Sequence, residues 1–169
     1  MIRATTAIRR PRAHVTMTKG RRIAPLLSFL VILLPAAAMA ASVEMMTTSG
    51  CSCCHAWAKH LRAAGFNVTI KDLAMGQLMR AKLDAGVPAT LAACHTARID
   101  GYIVEGHVPI REIKRLLVER PDAIGLVVPG MPLGSPGMES GNRREAYEVL
   151  LLKRDGTTEV LQRYESAGG

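Results

Sequence analysis

Three cysteines lie within four residues of one another, at Cys51, Cys53 and Cys54, and His55 follows them directly. A structural cysteine usually stands alone as a small buried hydrophobe, so this density indicates chemistry rather than packing. The fourth cysteine, Cys94, also has a histidine beside it. Thiolates ligate soft metals and act as nucleophiles in disulfide exchange, and the motif is suited to either chemistry.

The spacing of the cysteines favours a metal cluster over a single ion. Thiolates and thioethers select Cu(I), whereas zinc also accepts cysteine and histidine. Cys53 and Cys54 are adjacent, with Cα atoms about 3.8 Å apart, so binding both sulfurs to one ion strains the chelate ring. Neighbouring thiolates more readily bridge different ions. We therefore expect copper, as Cu(I), bound as more than one ion.

Histidines and methionines elsewhere in the chain are further candidate ligands. Two histidines directly follow cysteines, and a third lies between a glycine and a proline, where a constrained backbone can position a side chain. The two methionines belong to a loop without periodicity, so they are not on a regular core face. The candidate metal ligands are Cys51, Cys53, Cys54, Cys94, His55, His95, His107, Met131 and Met138.

Thiol–disulfide exchange is the first alternative. Cys51 and Cys54 form a CxxC pair at the expected start of a helix, the position of redox-active cysteines, and would then be the catalytic residues. Cys53 lies inside the pair and offers a competing disulfide. The chain is thus either a metal binder or a thiol or copper oxidoreductase.

Two other interpretations of the cysteines remain open. Cys51-x-x-Cys54-His55 satisfies the c-type haem attachment motif, but such domains are mostly helical, whereas at least five strand-like segments occur here. Two structural disulfides would explain the even number of cysteines, but not why three are crowded together.

The first forty residues have the layout of a secretory signal peptide. Residues 1–22 contain seven Lys or Arg and no acid, residues 23–34 are apolar, and Ala38-Met39-Ala40 is a small-x-small cleavage signal. We expect cleavage after Ala40, a periplasmic location, and no stable membrane span after processing. An exported protein lies where disulfides persist.

The remaining part of the chain, residues 41–169, is predicted to be a single metal-binding domain. The net charge of +8 belongs mostly to residues 1–40, because the mature chain has 15 basic and 14 acidic side chains. No basic stripe with interleaved aromatic residues remains, so nucleic acid is not an expected partner. No Ser-His-Asp order, paired carboxylates or phosphate loop supports hydrolase or kinase chemistry.

The secondary-structure pattern predicts the elements that carry these residues. A strand at 43–47 leads into the cysteines, and a helix follows from Cys54 to Ala64. A strand covers 66–70, and a helix from Leu73 to Ala85 is expected to pack Met75, Leu78, Met79 and Leu83 in the core. Later come a hairpin over 96–105, a helix from Ile110, a strand at 124–128, a loop over 129–142 and a closing hairpin.

This order of elements indicates an α/β thioredoxin-like domain, with a mixed sheet flanked by helices. In that fold a CxxC pair lies at the N-terminus of the first helix, where the helix dipole and free N–H groups stabilise a thiolate. Residues 87–128 are then expected to be an insertion that contains a hairpin and a helix. If the fold brings residues 94–95 over the first helix, Cys94 closes the site.

Three motifs resemble the exported CopG-like copper-resistance and metal-binding proteins of bacteria, a family long described as an uncharacterised domain. They are GCSCCHAW (50–57), VPATLAACHTARIDGYIVEGHVP (87–109) and GLVVPGMPLGSPGME (125–139). The resemblance runs in order across nearly the whole mature chain. It implies a thioredoxin-like fold and a periplasmic role in copper resistance, with other periplasmic copper-handling proteins as possible partners.

The resemblance also implies site residues. Cys51, Cys53, Cys54 and Cys94 match the cysteines of the family, which implies that copper is bound by this motif. The family often has glycine where this chain has Ser52, a difference that removes no ligand. Whether such proteins are copper oxidoreductases or only bind copper is left open by the resemblance.

Overall fold

The computed structural model describes residues 41–168, and the predicted signal peptide lies outside the described residues. The described chain alternates strands and helices. In chain order the elements are β1 (Ser42–Thr47), α1 (Ser52–Ala63), β2 (Asn67–Asp72), α2 (Met75–Asp84), a 3₁₀ turn (Ala89–Leu91), β3 (Thr96–Ile99), β4 (Tyr102–Glu105), α3 (Ile110–Glu119), β5 (Gly125–Val127), β6 (Tyr147–Leu152) and β7 (Thr158–Tyr164).

The seven strands form one mixed sheet in the order β2-β1-β3-β4-β5-β6-β7. Strand β1 pairs with β2 in parallel and with β3 antiparallel, and β4 pairs with β5 in parallel. The last two strands add an antiparallel hairpin at the edge beside β5. The predicted mixed α/β class is confirmed. No helix among residues 41–168 is long and apolar enough to cross a membrane.

The main hydrophobic core lies between the sheet and helices α1 and α3. Side chains alternate between the two faces of a strand, so Val43 and Val104 point to the same side as these helices. There they pack in one cluster with Trp57 and Leu61 of α1 and Ile113 of α3. Burial of this apolar surface fixes α1, and therefore the cysteine motif at its start, against the centre of the sheet.

The hairpin of β3 and β4 lies in the middle of the sheet, not in an insertion. Its first strand pairs directly with β1, with Met46 opposite Thr96 and Val43 opposite Ile99. The expectation that residues 87–128 are inserted into a smaller sheet is therefore wrong for this hairpin. Strands β5, β6 and β7 extend the sheet beyond β4.

Helix α2 differs from its predicted packing. Leu78 is buried, but Met75 is 63% exposed and Leu83 is 55% exposed, so these two residues are not core residues as expected. The other buried residue of this helix is Lys82, which is 1% exposed. Lys82 is buried because it pairs with Glu105 of β4. The hydrophobicity of α2 alone does not indicate which of its faces packs on the sheet.

The predicted loop over residues 129–142 packs on the start of α1. The φ angle of Gly137 is +88°, a left-handed conformation that glycine adopts without steric cost. A Cβ atom at this position would lie 2.6 Å from the Cys53 carbonyl oxygen and 2.8 Å from the Trp57 amide nitrogen. The Nε2 of His60 lies 2.7 Å from the Oε1 of Glu139, a contact that joins α1 to the same loop.

We expect Gly137→Ala to destabilise the protein by about 2 kcal/mol, because the methyl group meets the backbone of α1 and the left-handed φ is strained. Urea unfolding of the purified protein measures the change. Gly141→Ala is the matched control, because Gly141 has a φ of +60° in the same loop but a Cβ atom added there would meet nothing within 4 Å. Equal losses of stability in the two variants would show that the loop is not packed this closely on α1.

Candidate metal centre

The cysteine motif lies at the junction between β1 and α1. Strand β1 ends at Thr47, and the chain turns at Gly50, whose φ is +83°. Cys51 is the N-cap residue of α1 and has no side-chain cap, and its carbonyl oxygen accepts the first helical hydrogen bond from the amide of His55 at 3.2 Å. The cysteine sulfurs therefore lie at the positive end of the helix dipole, which favours thiolate.

Four cysteine sulfurs meet at this junction. The Sγ atoms of Cys51, Cys53, Cys54 and Cys94 all lie within 4.8 Å of one another. A disulfide joins Cys51 to Cys54, and the Sγ of Cys53 is 3.5 Å from that of Cys51. Cys54 is fully buried, whereas the other three are half-buried. Thiolates arranged tetrahedrally around a metal ion are about 3.8 Å apart, so after reduction of the disulfide the four sulfurs are close enough to share a metal centre.

Cys94 reaches this position because the chain enters β3 immediately after it. The preceding residue, Ala93, forms a bridge with Gly130, and Thr96 begins the strand that pairs with β1. The C-terminal end of β1 and the start of β3 are neighbours in an antiparallel pair, so Cys94 arrives beside the motif that follows β1. The structure thus places residues 94–95 against the start of α1, as the cluster hypothesis requires.

Two histidines join Cys94 in a second group of potential ligand atoms. The ring nitrogens of His95 and His107 and the Sγ of Cys94 lie within 4.8 Å of one another. The Nε2 of His107 is 3.0 Å from the Cys94 sulfur, and the Nδ1 of His95 is 3.4 Å from it. Cys94 belongs to both groups and therefore connects the thiol group to the histidines.

His107 is held in one tautomer. Its Nδ1 donates a hydrogen bond to the carbonyl oxygen of Pro136 at 2.8 Å, so Nε2 carries the lone pair that faces Cys94. A metal-binding histidine commonly donates its other ring N–H to a carbonyl or carboxylate in this way. The loop over 129–142 therefore orients a candidate ligand.

His95 has an unsatisfied buried atom. Its side chain is 0% exposed, and its Nε2 has no hydrogen-bond partner within residues 41–168. The ring packs against Trp57 at a centroid distance of 4.4 Å and against His107 at 4.9 Å. A buried polar atom without a partner is costly, so this nitrogen is suited to a ligand that the protein chain does not provide.

Burial controls the protonation of these groups. Desolvation lowers the pKa of His95 well below its usual value, with further lowering by the charges of His107 and Lys82. Desolvation likewise lowers the pKa of His107. Both rings are therefore neutral at neutral pH, the form in which imidazole binds a metal.

The Cys94 thiol is protonated in the metal-free protein. Desolvation raises the pKa of Cys94, and the negative charge of Cys53 and a hydrogen bond with Cys53 raise it further, to about 12. The nearby Lys82 acts in the opposite direction. A metal ion that binds this sulfur must displace the proton, so binding at Cys94 releases a proton.

The other predicted ligands are His55, Met131 and Met138. The side chain of His55 is exposed and belongs to neither set of neighbouring ligand atoms. Met131 is 53% exposed, in a loop that begins next to the bridge between Ala93 and Gly130. Met138 is half-buried and directly follows Gly137, which contacts the start of α1. Their roles as ligands stay predictions.

Sequence reasoning missed two charged residues beneath the site. Lys82 and Glu105 form a buried ion pair that contacts both residues flanking Cys94 and His95. The only sequence signal is a lysine on the apolar face of α2 and a glutamate at the end of an apolar strand. Neither is unusual by itself, because the pairing brings together residues that are far apart in the chain.

The comparisons with known proteins agree with this geometry. Residues 91–138 match the family model described as "Protein of unknown function, DUF411". The chain is 46% identical to the solved structure "Copper resistance protein copG- Form 1", covers 97% of that chain with 73% of its own length, and superposes with a TM-score of 0.69. The chain belongs to the CopG copper-resistance family. This confirms the resemblance found in the sequence.

A second structure of the family gives the same result. The structure named "Copper resistance protein copG- Form 2" is 45% identical, with 74% of this chain covering 98% of that one and a TM-score of 0.69. No curated protein matches the chain. The chain thus covers almost the whole length of both solved CopG chains.

We expect the free energy of unfolding of the metal-free protein to fall as the pH drops below about 6.5. The unfolded chain protonates His95 near that pH, whereas burial keeps the ring neutral in the folded protein. The unfolded state then binds more protons, and His95 alone contributes a loss of about 1.4 kcal/mol per pH unit until its folded pKa is reached. Urea unfolding between about pH 7.5 and 5.5 measures the slope.

Two variants separate His95 from other titrating groups. His95→Gln should flatten the slope, because its side chain does not titrate. His55→Gln is the control and should keep the wild-type slope, because His55 is exposed and lies outside both ligand groups. A wild-type slope in the His95 variant would contradict the assignment of the effect to this residue.

Proposed function

We propose that this CopG-family protein binds copper as Cu(I) in the periplasm, as a cluster of more than one ion bridged by cysteine sulfurs, and so contributes to copper resistance. The observation that carries the proposal is the meeting of four cysteine sulfurs within 4.8 Å of one another. The similar solved proteins are named copper resistance proteins, which supports copper as the metal.

The donor set fits copper better than zinc. Thiolate sulfur is a soft ligand and selects Cu(I), and adjacent thiolates such as Cys53 and Cys54 favour bridging of several ions. His95 and His107 add neutral nitrogen donors around Cys94. The unpartnered Nε2 of buried His95 gives an independent reason to expect a ligand here. In this proposal Met131 and Met138 remain candidate thioether ligands.

The disulfide controls how many sulfurs can bind. Cys51 and Cys54 are joined, so only Cys53 and Cys94 are free cysteines among residues 41–168. A dithiol that is itself oxidised to a disulfide can supply two electrons and two protons, which converts the Cys51–Cys54 disulfide to two thiols and makes all four sulfurs available. Each thiol that binds copper as a thiolate releases a proton. We therefore propose that the reduced protein is the form that binds the copper cluster.

We also propose that the fold is thioredoxin-like. The first seven strands and helices follow the order β1-α1-β2-α2-β3-β4-α3, and the four strands involved have the sheet order β2-β1-β3-β4. Helices α1 and α3 share one face through the main core, and α2 lies over Thr96 and Glu105 on the other face. The CxxC pair then has the location at the start of α1 that this fold gives to redox-active cysteines.

A thiol–disulfide or copper oxidoreductase is the second candidate function. The disulfide between Cys51 and Cys54 at the N-terminus of α1 favours it, because such a pair can exchange electrons with another thiol or with copper. Cys51 and Cys54 would be its catalytic residues. The c-type haem alternative has no such support, since these two cysteines are joined to each other and Cys54 is fully buried.

Removal of one cysteine at a time tests copper binding against exchange. In a bridged cluster, Cys53→Ser and Cys94→Ser should each lower bound Cu(I) by at least roughly one ion per chain, because a missing bridge leaves ions under-coordinated. Anaerobic titration of the reduced protein against a chromophoric Cu(I) chelator measures the copper bound.

Disulfide reductase activity is measured on the same two variants. If exchange by Cys51 and Cys54 is the function, Cys53→Ser should keep or raise this activity, since it removes a competing thiol. Undiminished copper in both variants would exclude the cluster and leave Cys51 and Cys54 as a redox pair. Saturation of the wild-type protein at one ion would also contradict a cluster.

The export proposal is tested by mass. The cleavage signal Ala38-Met39-Ala40 predicts a mature protein that begins at Ala41, because small residues precede the cut. Intact-mass measurement of the protein from a periplasmic extract should match residues 41–169. A chain that keeps residues 1–40 and sediments with membranes would contradict the proposal of a soluble periplasmic protein. The periplasm is also where we expect it to encounter other copper-handling proteins.

A further inference from the structure

A buried ion pair lies directly beneath the candidate metal centre. The Nζ of Lys82 is 2.6 Å from the Oε1 of Glu105, and the side chains are 1% and 0% exposed. Lysine and glutamate are almost never fully buried unless paired. Replacement of such a pair by apolar residues of similar volume is often neutral or stabilising. Stability therefore does not account for this pair, and its contacts suggest another role.

Glu105 is hydrogen-bonded to both sides of the Cys94-His95 segment. Its Oε1 accepts a hydrogen bond from the backbone N–H of Ala93 at 2.6 Å, and its Oε2 accepts one from the hydroxyl of Thr96 at 2.5 Å. Ala93 directly precedes Cys94, and Thr96 directly follows His95. One carboxylate thus holds the residue before and the residue after two candidate ligands.

Lys82 completes this arrangement. Besides the ion pair, its Nζ donates to the hydroxyl oxygen of Thr96 at 2.8 Å, so the Thr96 hydroxyl both accepts and donates. The amide of Gly106, the neighbour of Glu105, donates to the His95 carbonyl oxygen at 3.0 Å. The backbone and side chains at the end of β4 therefore restrain the segment at three separate residues.

The positive charge of Lys82 has an electrostatic consequence. An unpaired carboxylate buried close to Cys94 would oppose the build-up of negative charge on the cysteine sulfurs. The ammonium group of Lys82 cancels that charge while leaving the carboxylate oxygens as acceptors. The Lys82–Glu105 pair thus restrains residues 93–96 without adding net charge near the thiols.

We propose that Lys82 and Glu105 are positioning residues of the metal centre, which hold Cys94 and His95 in a ligand-ready geometry before copper binds. This inference rests on the proposed copper-binding function. Groups that orient metal ligands from outside the coordination sphere typically change metal affinity by about 10- to 100-fold when they are removed. The pair therefore sets how tightly the site binds rather than how many ions it binds.

Two double variants test the proposal. Lys82→Met/Glu105→Leu keeps roughly the same volume but removes every side-chain hydrogen bond of the pair to Ala93 and Thr96. Lys82→Met/Glu105→Gln also removes both charges but keeps a carbonyl oxygen that can accept from Ala93. We expect Cu(I) affinity to fall by about 10- to 100-fold in the first and to recover partly in the second, at wild-type copper stoichiometry.

An exposed ion pair supplies the matched control. Lys71 and Glu44 are 2.7 Å apart, but their side chains are 52% and 41% exposed on β2 and β1. Lys71→Met/Glu44→Leu makes the same chemical change at a pair whose side chains are not hydrogen-bonded to residues 93–96, so it should keep wild-type affinity. Competition with a Cu(I) chelator measures affinity, and thermal unfolding of each metal-free variant shows whether it is folded.

The outcomes separate this inference from the proposed function. If the wild-type protein binds no Cu(I), the proposed function fails. If the wild type binds and the folded Leu variant has wild-type affinity, only the positioning role is overturned. Should the Leu variant not fold, Thr96→Val decides, because it removes one anchor with almost no change in shape. Weaker Cu(I) binding by that variant supports the role, and wild-type affinity overturns it.

Discussion

The indole ring of Trp57 is the contact on which the other parts of the site depend. It is fully buried, and its Nε1 donates to the carbonyl oxygen of Val108 at 2.9 Å, which joins α1 to the segment before α3. One face of the ring packs against His95, and its backbone amide lies under Gly137. Three segments that are distant in sequence therefore meet at one residue, three positions after the last cysteine of the motif.

The elements of the fold were predictable where a single periodicity identified them. Helix α1, the hairpin of β3 and β4, and α3 all appear where hydrophobic spacing placed them. The location of the hairpin in the sheet was not predictable, because strand pairing is a long-range property. The burial of Lys82 in place of Met75 and Leu83 has the same cause, since the partner that makes it favourable is Glu105, on another element.

The site was predictable in its chemistry and less so in its geometry. The crowding of Cys51, Cys53 and Cys54 is a local signal, and it identified a thiol centre directly. The approach of Cys94 was only a condition of the cluster hypothesis, because it depends on the pairing of β3 with β1. The orientation of His107 was not visible, because the carbonyl oxygen that fixes its tautomer belongs to Pro136, in a loop without periodicity.

The raised pKa of Cys94 also disfavours attack of this thiol on the neighbouring disulfide in the metal-free protein. A free thiol lies within 4.8 Å of the sulfurs of a disulfide, an arrangement in which disulfide rearrangement is a hazard. Attack on a disulfide requires thiolate, and burial holds the pKa of Cys94 at about 12, so this thiol is a poor nucleophile at neutral pH. In an oxidising compartment, Cys94 of the metal-free protein therefore does not exchange into the disulfide of Cys51 and Cys54 while its sulfur carries that proton.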